Sequence, residues 1–165
     1  MRRAVVVLVG VSLLGGCGGE VDTAAVVGSA PTIEQPGEPI EIRTEVTIAD
    51  EEGAETIATG EVLEGSTLGD SPFCVGGSIV DMHPSPEVDP DYLIEREITC
   101  PDGTITIGLT PEVGSPPGEP QRGSWTIVSG SDDFDGLSGG GEMEVEYDPD
   151  DDSLAHEMLK GTATI

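Results

Sequence analysis

The chain has 165 residues, of which 33 are acidic and six basic, for a formal net charge of −27, and aromatic residues make up 3% of it. A charge of this sign excludes unassisted binding to nucleic acid or to an anionic membrane surface, since both are polyanions, and so few rings leave no stacking surface for bases. The 24 glycines and 13 prolines speak against a helical bundle, because both disfavour helix interiors; the length suits one domain, with or without a tail.

In chain order, the first predicted element is an address. Arg2 and Arg3 form a short basic segment, and Ala4 to Leu14 is an apolar stretch, about 16 Å long if helical. That is too short to cross a hydrocarbon core of ~30 Å. The small residues Gly15 and Gly16 follow, as cleavage of a signal peptide requires. Leu14-Gly15-Gly16-Cys17 resembles the lipobox of bacterial lipoproteins. The resemblance implies that residues 1–16 are a signal peptide and that Cys17 is diacylated and becomes the new N-terminus. It places the protein in the cell envelope, lipid-anchored on the extracytoplasmic side of the membrane. Cleavage removes two of the six basic residues and none of the 33 acidic ones, which takes the net charge to −29. Two acyl chains hold a protein stably on a bilayer. The acidic body adds no attraction to anionic lipid, so contact with the lipid bilayer rests on acylated Cys17 alone. Residues 17–37 show no sustained periodicity and are punctuated by Gly18, Gly19, Gly28, Pro31, Pro36 and Gly37. They are predicted to be a flexible tether with a span on the order of 25 Å.

From Glu38 to the end, residues 38–165, the apolar pattern has period two. Ile40, Ile42, Val46 and Ile48 share one face, with Glu41, Arg43, Glu45 and Thr47 on the other. Ile94 and Ile98 alternate with Glu95 and Glu97, and Met143, Val145 and Tyr147 with Glu142, Glu144 and Glu146. This is the signature of half-buried strands with carboxylates on the wet face. Thr56–Leu63, Phe73–Asp81, Thr104–Leu109, Ser124–Ser129 and Leu159–Ile165 complete a set of about eight short strands, separated by clusters of Gly, Pro and Asp. The one helix-like stretch is Ser153–Lys160, with Ser153 as its N-cap; it is short enough to be an extended loop or the start of a strand. Such a chain is predicted to form an all-β sandwich or antiparallel barrel. With Cys17 set aside, Cys74 and Cys100 form an even pair in an exported chain, which predicts one disulfide. Closing that loop stabilises the fold by roughly 3 kcal/mol.

Residues 123–141 read GSWTIVSGSDDFDGLSGGG. This stretch resembles a signature of the allene-oxide-cyclase-like barrel superfamily, similar in fold to the dirigent proteins. Gly123, Trp125, Ile127, Gly130, Phe134, Gly136, Leu137, Gly139 and Gly141 fall in register with it. The segments around Phe73-Cys74 and Thr99-Cys100, and the terminal Gly161-Thr162-Ala163, look like the same family. The resemblance covers residues 70–165 and departs from the family at Asp132, where Gly is usual; Asp tolerates the left-handed conformation better than most residues. It implies an antiparallel eight-stranded β-barrel with a central cavity. In the plant cyclase that cavity holds a fatty-acid epoxide, and in dirigent proteins it steers phenoxy-radical coupling. No catalytic residue of either family falls on a matched position, so the matched motif is structural.

Candidates for chemistry are few. His83 and His156 have no zinc-ligand spacing. Asp148, Asp150 and Asp152 alternate, but the glycine and the terminal acid of a calcium-binding EF-hand loop are absent. No nucleophile elbow or phosphate loop occurs. The expectation is therefore no metal, no cofactor and no catalytic residue. Three readings remain, in order: a non-catalytic barrel binding a small apolar ligand, a structural or protein-interaction module with a filled barrel, and an isomerase or cyclase. Trp125, Phe134 and Tyr147 are the large residues available to close one end. The third reading needs a polar group held inside, with Tyr92, Arg96 or a glutamate as candidates. Distributed self-repulsion among the acidic residues is screened by salt. The melting temperature is accordingly expected to rise between low salt and ~1 M NaCl; a flat or falling curve in a thermal scan would count against repulsion as a main destabilising term.

Overall fold

The computed structural model describes residues 37–49, 56–84, 91–114, 116 and 119–165. The expected signal peptide, Cys17 and all of the expected tether but Gly37 lie outside the described residues. The strands are β1 (Glu38–Ile48), β2 (Thr56–Val62), β3 (Thr67–Leu68), β4 (Ser71–Pro72), β5 (Ser78–Met82), β6 (Ile94–Cys100), β7 (Gly103–Pro111), β8 (Gln121–Gly130), β9 (Ser138–Tyr147) and β10 (Leu154–Thr164). Eight of them run in the order β1-β2-β5-β6-β7-β8-β9-β10, and β10 pairs back onto β1 over ten residue pairs, from Glu38 with Ala163 to Thr47 with Leu154. All pairings are antiparallel. The result is a closed eight-stranded antiparallel β-barrel, in which each of the eight strands is paired on both sides.

The alternation seen in the sequence sets which residues face inward. Ile40, Ile42, Thr44 and Val46 of β1 are buried, as are Ile105, Ile107 and Leu109 of β7, Trp125 and Ile127 of β8, and Met143 and Val145 of β9. Glu61, Glu97, Glu142 and Glu146, out of phase with them, are exposed. The helix-like reading of Ser153–Lys160 is corrected: the segment lies in β10, flanked by β1 and β9. Ala155, Glu157 and Leu159 point inward there at successive intervals of two residues, a strand period rather than a helical one. The expected strand Phe73–Asp81 begins only at Ser78. Cys74 and Gly76 adopt left-handed φ, +50° and +76°, and the Gly77 amide donates to the Cys74 carbonyl, so Cys74 to Gly77 form a turn. The short β3–β4 hairpin was not anticipated; it continues the sheet beside Ile40 and Glu41 of β1 where β2 has ended.

The two ends of the barrel differ. At the end where β1 starts, Phe73 and Leu137 are buried, and Phe73 meets Phe134 edge to face with ring centroids 5.7 Å apart. Phe134 is carried by a 3₁₀ turn, Asp132–Phe134, in which Asp132 takes the left-handed φ of +55°. The Cys74–Cys100 disulfide ties the turn before β5 to the end of β6 at this same end. These groups plug it. Midway along the wall, Trp125 of β8 pairs with Gly141 of β9, and Gly141 with Gly161 of β10. A Cβ on Gly141 would collide with the Lys160 carbonyl. The close approach of β10 that results lets the Trp125 indole N–H donate to that carbonyl, 3.2 Å away, so one ring bridges β8 to β10. Replacing Cys74 and Cys100 together by serine is expected to lower the unfolding free energy by about 3 kcal/mol in urea titrations; a loss under ~1 kcal/mol would show that the plug holds without its cross-link.

Candidate functional site

Above the plug, the barrel interior contains charge. Arg96 on β6 falls in phase with Ile94 and Ile98 and therefore points inward; none of its surface is exposed. Asp81, its cross-strand partner on β5, is in phase with Ile79 and is also buried. Glu157 comes from β10, the strand diametrically opposite β6 in the order of the barrel. Arg96 reaches across the interior and binds both carboxylates. Its Nε donates to Asp81 Oδ1 at 2.7 Å and its Nη2 to Asp81 Oδ2 at 2.6 Å. Its Nη1 donates to Glu157 Oε2, and Nη2 also reaches Glu157 Oε1 at 3.2 Å. Thr44, paired with Glu157 in the β1–β10 ladder, donates its hydroxyl to Glu157 Oε2 at 2.7 Å. Two edges of one planar guanidinium thus hold two carboxylates, the geometry for which arginine is suited.

The charges do not balance: one cation faces two anions. Complete burial opposes ionisation of Arg96, but Glu157 and Asp81 outweigh it and hold the guanidinium charged, its pKa above the usual value. Burial pushes the Asp81 carboxyl above the ordinary carboxylate range, and the Glu157 charge adds to this; the Arg96 contacts oppose it without cancelling it. That direction is what an excess carboxylate in a dry interior should show. On the side away from the plug, the cluster floors a cavity of about 140 Å³. Asp81 and Glu157 line it, as do Val46, Ala58, Ile94, Leu109, Met143, Val145 and Ala155, with Ile48, Pro111, Gln121 and Tyr147 toward the barrel mouth. The Tyr147 hydroxyl donates to Gln121 Oε1 at 2.8 Å, and burial together with the nearby Glu157 charge raises its pKa. A larger hollow of about 410 Å³ between Gly37, Leu68, Leu137 and Ile165 lies at the plugged end and touches none of the three charges.

Of the residues singled out from the sequence, Arg96 and Tyr147 belong to this site and the barrel-signature residues fall around it. Gly123, Trp125, Ile127, Gly130, Phe134, Gly136, Leu137, Gly139 and Gly141 form wall and plug, and none lines the cavity. Phe134 and Tyr147 stand at opposite ends and Trp125 in the wall between, so the three do not close one end together. Of the polar candidates, Arg96 is inside. Tyr92 is not; its ring covers Gly108, which is out of phase with the inward residues of β7. His156 is about half exposed, 3.7 Å from Glu45. Asp148 and Asp151 turn their carboxylates onto the backbone of their own loop, accepting from the amides of Asp150 and Ser153. Asp81 and Glu157 were missed, although each carries the signal that betrays Arg96: a charged residue in phase with buried aliphatic ones. No known protein family, curated protein or solved structure matches the chain. Arg96→Leu would leave two carboxylates buried without a cation and should cost about 3–5 kcal/mol in urea titrations at neutral pH; a loss under ~1 kcal/mol would show that the interior does not depend on the guanidinium.

Proposed function

We propose that the protein is a non-catalytic, small-ligand-binding barrel of the cell envelope, anchored to the membrane through acylated Cys17, and that its barrel is of the allene-oxide-cyclase-like kind. The observation that carries the binding reading is the 140 Å³ cavity, walled by aliphatic side chains and floored by a fixed polar cluster. A few convergent polar groups in an apolar hollow is the usual composition of a small-molecule site. Its size limits the guest. Drug-sized ligands occupy roughly 300–1,000 Å³, whereas a cavity of ~150 Å³ accepts a benzene-sized group. The occupant is therefore a small molecule, or one small end of a longer one.

The anchored arrangement is consistent with the course of the chain. The strand that follows the tether, β1, starts at the plugged end, and the cavity lies toward the other. The matched glycines and Trp125 support the barrel subtype, because they build the close β8–β9–β10 wall. A filled barrel serving a structural or interaction role draws on a different observation: a continuous cluster of buried apolar side chains that includes Phe73 and Leu137. An isomerase or cyclase is favoured less, since among the described residues both cavity carboxylates are held by Arg96, whose charge opposes proton uptake by a base.

Native mass spectrometry of the protein purified from the membranes of its own host provides the test. A co-purifying small molecule of defined mass is expected, recovered by organic extraction and lost from an Ala155→Leu variant whose longer side chain fills the cavity. Absence of any adduct, together with no shift of the Met143 methyl resonance on adding small neutral apolar probes, would overturn binding in favour of the filled module.

A further inference from the structure

The polar floor of the cavity defines the head group of its ligand, an inference that rests on the binding reading above. A carboxylate offers about four acceptor sites. Asp81 and Glu157 together accept five hydrogen bonds, four from Arg96 and one from Thr44. About three acceptor sites remain on the pair, and both residues line the cavity. With both carboxylates ionised, the cluster carries one net negative charge at the base of a cavity whose aliphatic walls do not solvate it. A further anion is repelled there, and a purely apolar guest leaves the acceptors and the charge as they were. An ammonium group brings one positive charge and three donors, which match the excess charge and the remaining acceptors.

We propose that the cavity is a site for a small primary alkylammonium ion, its ammonium on the carboxylates of Asp81 and Glu157 and its alkyl chain against Val46, Ile94 and Leu109. Binding turns a cluster of one cation and two anions into a neutral set of two and two. Burial also raises the Asp81 pKa, so a proton and an ammonium compete for the same charge, and only the ammonium adds apolar contact. Around Asp81 the facing charged or titratable groups are Arg96 from β6, Glu157 from β10 and, at the mouth, Tyr147 from β9. Among these, Arg96 supplies the cluster's only positive charge. The cavity volume suits a chain of about four carbons, given that ~150 Å³ holds a six-carbon ring.

The test is a titration of the full-length protein followed by the Met143 methyl and Tyr147 ring resonances, with n-butylammonium chloride, n-butanol and sodium butyrate in turn. Each is added at neutral pH against matched NaCl, so that general attraction of cations to an acidic surface is held constant. The expected result is a saturable shift with n-butylammonium, at an affinity at least about tenfold above that of n-butanol, and none with butyrate. Asp81→Asn should reduce that preference to under about threefold, and Ala155→Leu, which leaves all three charges in place, should abolish the shift. If n-butanol and n-butylammonium bind equally, the inference about the head group is overturned while the binding barrel stands. If neither gives a saturable shift at Met143, both fail. Shifts with n-butylammonium confined to surface residues also overturn it.

Discussion

Arg96 spans the barrel, and the rest of the interior is arranged about it. It leaves β6, meets Asp81 on the neighbouring strand β5, and ends on Glu157 of the opposite wall, which Thr44 of β1 holds from the side. A fully buried guanidinium has lost all hydration, so these bonds offset a large desolvation penalty and add little net stability. What they impose is register. A slip of β6 by one residue would turn Ile94, Arg96 and Ile98 outward and bring Glu95 and Glu97 in, with no cation to receive them. Among compact arrangements of this chain, the one that closes the ion cluster is strongly preferred.

The same constraint divides the barrel along its axis. Below the cluster, two phenylalanines, Leu137 and a disulfide supply what a chain with 3% aromatic residues cannot supply by ring volume alone. Above it, the small side chains Ala58 and Ala155 leave space that no large residue takes up. The outer surface carries a large negative charge dispersed in water, where salt screens it. The inner cluster carries a single excess negative charge where nothing screens it. The outer charge lies on the wet faces of the strands, and the inner one lines the cavity.

Much of the barrel was legible in the sequence because period-two alternation is a local signal. Ile40 to Ile48 against Glu41 to Thr47 fixes a strand and its wet face, and repetition of the pattern fixes the class. The disulfide was legible from cysteine parity. What escaped was non-local. Arg96 lies 15 residues from Asp81 and 61 from Glu157, and only closure of the sheet brings the last pair together. The phase of Asp81 and Glu157 was present in the text of the chain, but 33 acidic residues make any one of them inconspicuous. Ser153–Lys160 misled for a related reason. Its inward residues include Glu157, so the apolar alternation that marks a strand is interrupted by a charge whose partner is remote in sequence.

That interruption is itself informative. An inward charge in a strand pattern is normally removed by selection for stability, since an aliphatic residue of similar volume would pack with no desolvation penalty. Here three such positions stand in one layer, and their charges fail to cancel by one unit. A structural brace would need only one carboxylate for its arginine, because a single fork-to-fork pair satisfies register as well as two. The second carboxylate leaves one charge at the base of the cavity for a proton or an outside cation to neutralise. Its presence there is explained when the partner that completes the set comes from outside the chain.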